Sequence, residues 1–162
     1  MSVTHKNTVY VLGGWDGYDC LRSVEKADLA KGESVRFKET KPLLSPVKNG
    51  CCVYNETNKT IYIIGGWDEK ETTKSIFAYE PNNKDNTFFV GSLPEPVEGH
   101  SLARVGDYVY IIGGFDGYGV VDRIMRMNIQ TRHTEVLKDV KLLEKRENCT
   151  SEVIFDAEEG GD

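Results

Sequence analysis

The chain has 162 residues, 28% of them charged, and a formal net charge of −6. That is enough chain for one folded domain. Lys and Arg are scattered rather than striped, which argues against nucleic acid; no apolar run is long enough for a membrane span, and residues 1–10 do not read as a signal peptide.

In chain order, the first predicted strand is Val9–Leu12, running into Gly13, Gly14, Trp15 and Asp16. Only Met1–Asn7 precede it, so this unit is expected to lack an inner strand. A second strand follows over Val24–Leu29, then a polar turn and a short run containing Phe37. The next unit opens with a strand over Gly50–Tyr54, turns through Asn55–Lys59, and enters Ile61–Ile64 as a hairpin. Gly65, Gly66, Trp67 and Asp68 end that strand, and strands containing Tyr79 and Phe88–Phe89 complete the meander. The third unit repeats this through Ser101–Val105, the turn Gly106–Asp107, Val109–Ile112, then Gly113, Gly114, Phe115 and Asp116. Its later strands hold Met127 and Val136. Last, Arg146–Ile154 aligns with Lys48–Tyr54 and Glu98–Arg104 as an inner strand without a following unit.

A strand–Gly–Gly–aromatic–Asp core at a period near fifty marks a repeat whose units bury their faces by stacking. Ile61–Ile64 is apolar on both sides apart from Tyr62, so both faces of that sheet need covering. With no helices to cover them, the neighbours must be sister sheets, the geometry of a propeller.

These units resemble kelch repeats, with the glycine pair ending the second strand and Tyr79 at the third-strand tyrosine of that family. Phe37 and Phe88 stand near its fourth-strand tryptophan, while Ala27 and Met127 replace the tyrosine. The resemblance covers roughly residues 8–155 and implies an all-β array of about three four-stranded antiparallel blades, over about 8–47, 48–97 and 98–145. A closing inner strand over 146–155 and an acidic tail over 156–162 follow. Propellers hold about four to eight blades. Three therefore form half of a six-bladed ring, as in the C-terminal half of a kelch-like adaptor, or a ring completed by a homodimer.

Asp16, Asp68 and Asp116 recur in every unit, which favours Asx turns over catalysis, since a catalytic residue is usually unique. The glycines fit neither GxGxxG nor the phosphate-loop lysine pattern, and close approach between sheets is their expected task. Trp15, Trp67 and Phe115 are expected to pack between blades. His5, His100 and His133 share no ligand spacing, and only His100 falls near the channel. No metal, cofactor or catalytic set is expected. Cys20, Cys51, Cys52 and Cys149 read as free buried thiols of a cytoplasmic protein, with Cys51 and Cys52 on opposite faces. The sequons at Asn55, Asn58 and Asn148 read as chance.

The loops after the glycine pairs differ while the frame repeats, as binding surfaces do. Tyr18, Arg22, Lys70, Lys74, Tyr118 and Arg123 are the candidate partner-binding residues, and the arginines suggest an acidic peptide. The resemblance implies a non-catalytic protein-binding module, for ubiquitin-ligase substrate recognition or actin-associated scaffolding. The alternative it implies is a kelch-fold enzyme such as a sialic-acid mutarotase or specifier protein.

Overall fold

A computed structural model describes residues 1–154. Three antiparallel four-stranded sheets follow one another along the chain, each with its strands in sequence order. The first holds β1 (Ser2–His5), β2 (Thr8–Trp15), β3 (Cys20–Asp28) and β4 (Lys38–Glu39). The second holds β5 (Cys51–Asn55), β6 (Thr60–Ile64), β7 (Ser75–Glu80) and β8 (Asn86–Ser92). The third holds β9 (Ser101–Val105), β10 (Tyr108–Ile112), β11 (Arg123–Asn128) and β12 (Thr134–Lys141). The fold is all-β, and its sheets have the form of kelch blades.

Side-chain alternation on the middle sheet explains the stacking. Ile61, Ile63 and Tyr79 face the first sheet and join Tyr10, Leu12 and Val24 in one core cluster. Tyr62, Ile64, Ile76 and Ala78 face the third sheet and join Val109, Ile111, Met125 and Met127 in the other. Period-two alternation therefore builds two cores from one strand. Buried polar bonds tie the sheets together as well: the Asn55 side-chain amide donates to the Ile129 carbonyl at 3.1 Å. Asn55 is fully buried, so its sequon cannot be an acceptor on the folded chain.

The structure departs from the sequence reading in several places. The first sheet has its inner strand: Ser2–His5 pairs with β2 in the register Ser2↔Val11 to His5↔Thr8. Four residues suffice because Lys6 takes a positive φ and closes a two-residue hairpin turn with Asn7. The first sheet thus starts before residue 8, and a C-terminal strand is not needed to fill that place. Its outer strand, in contrast, is reduced to Lys38–Glu39, and Phe37 is 48% exposed.

Residues 146–154 form no strand ladder. They lie along β9, where the Asn148 amide donates to the Gly99 carbonyl at 2.6 Å and the Ser151 hydroxyl donates to the Leu102 carbonyl at 2.9 Å. This sets a register one residue away from the sequence alignment. Asn49, Gly99 and Asn148 all have φ between 54° and 58°, and Gly99 donates in turn to the Asn49 carbonyl. Glu147, rather than Arg146, therefore stands level with Lys48 and Glu98. The shared left-handed conformation, which Asn and Gly tolerate best, fixes that register. Phe155 and the acidic tail 156–162 lie outside the described residues.

The two outward sheet faces are visibly less covered. Tyr62, Ile64 and Ile76 are at most 3% exposed, while Tyr110, Ile112 and Ile124 in the same register are only half-buried. On the first sheet Val11 is 36% exposed where Ile63 is buried.

Candidate functional site

Each glycine pair delivers a loop to the same face of the array. The second glycine donates its amide to the chain that follows its own sheet: Gly14 to Val47, Gly66 to Val97 and Gly114 to Arg146, each at 2.8 Å. The next residue but one is the aspartate. Asp16 accepts from the amides of Tyr18 and Asp19, Asp68 from Lys70 and Glu71, and Asp116 from Tyr118 and Gly119, all between 2.8 and 3.1 Å. These are Asx turns, and each stiffens a loop tip. Amide bonds from Asp19 and Tyr18 hold the Asp16 carboxyl below the usual range. At Asp116 partial burial pushes upward, but the amides of Tyr118 and Gly119 and the Arg123 guanidinium outweigh it.

Stiff tips present the sequence-predicted residues unequally. Tyr18 is 87% and Tyr118 98% exposed, and Arg22, Lys70 and Lys74 are exposed too. Arg123 is not available in the same way. Its guanidinium lies 2.6 Å from Glu95 and 3.4 Å from Asp116 and donates to the Pro96 carbonyl at 2.8 Å. It braces the entry to the third sheet's loop.

Sequence reasoning missed Lys48. Its ammonium lies 4.3 Å from the centre of the Trp15 ring and 4.6 Å from that of Trp67, bridging the first and second sheets. Trp15 is 50% exposed, so it belongs to the loop face and not to the packing between blades. The signal was the lysine four residues before Cys52, but nothing local tells a stacked lysine from a solvated one.

On the channel side, Met1, Cys51, His100, Ser101 and Cys149 line an open cavity of about 240 Å³. Cys51 donates to the His100 carbonyl at 3.0 Å, and burial pushes its thiol up to about 11. Cys52 points the other way, into the core between the first two sheets, and its thiol is pushed up to about 12. Neither forms a useful thiolate at neutral pH. All four cysteines are free; Cys20 is buried and the other three are partly exposed. Among the described residues, no group of three His, Cys, Asp or Glu side chains is placed to hold a metal ion. No helix of the described chain is long and apolar enough to cross a membrane.

His100 is 3% exposed, and neither ring nitrogen has a hydrogen-bond partner among the described residues. Burial lowers its pKa from 6.5 to about 4. Between those values the unfolded chain takes up a proton that the folded chain refuses. Stability is therefore whole above pH 6.5 and declines as pH falls toward 4, by up to about 3 kcal/mol. Urea midpoints at pH 7 and pH 4.5 check this: the drop should be clearly smaller for His100→Gln. An equal drop in parent and variant would remove His100 as the cause.

Comparison with known proteins agrees with this geometry. A family model described as the kelch motif matches residues 2–33, which span most of the first sheet. The chain is 29% identical over 119 residues to spermatocyte protein spe-26 of Caenorhabditis elegans, covering 72% of this chain and 20% of that protein. It is 25% identical over 140 residues to kelch domain-containing protein 10 of Xenopus tropicalis, covering 81% of this chain and 34% of that protein. The chain thus spans between a fifth and about a third of the length of these relatives. With the motif matched on the first sheet and repeated in the strand order of the other two, the chain is similar to proteins of the kelch motif family.

Proposed function

We propose that the chain is a non-catalytic protein-binding module that reads its partner with the loop face. The observation that carries this is the contrast between frame and tips. Three Asx-braced loops leave the same scaffold position, yet they present different residues, with Tyr18 and Tyr118 almost wholly in solvent. Exposed tyrosines held on stiff loops bind at low entropic cost. Substrate recognition for a ubiquitin ligase and actin-associated scaffolding are the settings proposed for such a module. The four free thiols support a reducing, cytoplasmic setting. Completion of the ring at the half-covered faces, by further blades or by a second copy, belongs to the same proposal.

An acidic ligand would have to be met by Arg22, Lys70 and Lys74, since Arg123 is already neutralised by Glu95 and Asp116. The test is a combined Tyr18→Ala, Arg22→Ala and Tyr118→Ala variant. A partner recovered with the parent chain should bind it about a hundredfold more weakly, with the melting temperature unchanged. Undiminished affinity would place binding elsewhere.

A further inference from the structure

Two places on the loop face share one backbone register but carry opposite charges. Lys48 exchanges both backbone hydrogen bonds with Trp67, at 3.0 and 2.8 Å, and Glu98 does the same with Phe115, at 2.9 and 2.8 Å. At the first place the lysine ammonium lies against the two flanking rings, Trp15 and Trp67. At the second the corresponding rings are Trp67 and Phe115, and the residue entering the cleft is a glutamate. Aromatic faces are electron-rich, so they attract a cation and offer nothing to a carboxylate. The second cleft thus has aromatic walls and a carboxylate within it; Lys48 reaches Trp67 from the first cleft and Lys70 borders the second, but among the described residues no cation lies over Phe115.

The carboxylate is aimed rather than neutralised. Glu98 accepts from the Thr72 hydroxyl at 2.7 Å and from the Asn49 side-chain amide at 2.8 Å, one bond to each oxygen. Neutral donors leave both the charge and further lone pairs in place. Among the described residues no Lys, Arg or His forms an ion pair with Glu98. The cleft has a volume of about 380 Å³ and is bordered also by Tyr118, Glu71, Asp116 and Lys70. Three carboxylates against one exposed lysine leave the lining negative.

We propose that this cleft binds a Lys or Arg side chain from an extended segment of a partner protein. The cationic head meets Glu98, the stem lies between Trp67 and Phe115, and Tyr118 covers it from solvent. This rests on the protein-binding reading of the loop face and assigns the ligand at this cleft the opposite charge to an acidic peptide. Lys48 is the internal precedent: one cleft along, the chain satisfies its own aromatic pair with a lysine.

The full chain is titrated with two capped decapeptides of alternating residues, one of Lys and Ser and one of Glu and Ser, while nitrogen–proton NMR spectra are followed. The Lys peptide should shift the Trp67 indole and the amides of Gly117 and Tyr118, with the Trp15 indole moving least because Trp15 does not line this cleft. Glu98→Gln, which keeps a hydrogen-bonding side chain, should weaken this binding about tenfold. Glu98→Lys should abolish it. A Lys peptide that leaves the Trp67 indole unmoved, or that binds Glu98→Gln as tightly as the parent, overturns the proposal. If the Glu peptide alone shifts the Tyr18 and Arg22 amides, loop-face binding stands and the cation cleft falls. If neither peptide shifts any loop-face signal, both fall.

Discussion

Replacing Tyr79 with alanine is expected to cost about 3–5 kcal/mol, the range for emptying a large buried aromatic site. Tyr79 is fully buried on β7, opposite Ile61 in the ladder, and its ring meets Tyr10 edge-on at 6.4 Å between the first two sheets. No other residue type fills that volume and also reaches the polar rim. There its hydroxyl donates to Asp85 at 2.7 Å and shares a 2.9 Å hydrogen bond with Thr40. Asp85 in turn holds Lys26 of the first sheet at 3.3 Å. The hydroxyl is thus the centre of a polar clasp over an apolar contact, and burial, aided by Asp85, raises its pKa above the usual 10.

Tyr79→Phe divides the two contributions. It keeps the ring but leaves Asp85 and Thr40 one partner short, so about 1–3 kcal/mol should be lost. Leu143→Ala, at a fully exposed position, should stay within about 0.5 kcal/mol of the parent. Urea denaturation of the three variants checks the ranking. If Tyr79→Ala and Leu143→Ala melt alike, Tyr79 does not hold the first two sheets together.

Much of this fold was legible because its signals are local and repeated. The glycine pairs, the aspartates two residues later and the two-residue turn Gly106–Asp107 each impose a backbone shape on their own neighbours. The inner strand Ser2–His5 was missed because only four residues form it, and what makes them a strand is the neighbouring β2 edge. Trp15 was misplaced for a related reason. A tryptophan after a glycine pair carries the same propensity whether a neighbour covers it or not, and its partner Lys48 lies 33 positions away in the chain. The candidate site divided along the same line. Tyr18 and Tyr118 could be assigned to the variable loops, but their exposure, like the bracing of Arg123 by Glu95 and Pro96, depends on what the fold brings near. The cation cleft was illegible for the same reason, since it is a relation between Lys48 and Glu98 that appears once both are seen in one register.

Gly65→Ala is the second change with a large expected effect, and it tests why the glycine pair exists. Gly65 has φ of 58°, and an added Cβ would sit 2.4 Å from the Val97 carbonyl oxygen and 3.2 Å from the His100 ring. The first obstacle is backbone of the next unit and cannot rotate away. That same carbonyl accepts the Gly66 amide at 2.8 Å, so relieving the clash stretches the bond that joins the second sheet to the chain entering the third. Strain at positive φ, overpacking and a weakened hydrogen bond each contribute on the order of 1–3 kcal/mol, and together they should reach about 3–5 kcal/mol. Gly14→Ala separates the causes. Its φ of 118° is unfavourable for alanine as well, but no atom lies within 4 Å of the added Cβ. It should therefore lose only the strain, about 1–3 kcal/mol. Thermal or urea unfolding of the two variants decides between steric closeness and conformational freedom as the reason for glycine. A loss at Gly14 equal to that at Gly65 would show that the sheets do not approach closely enough to need a bare Cα.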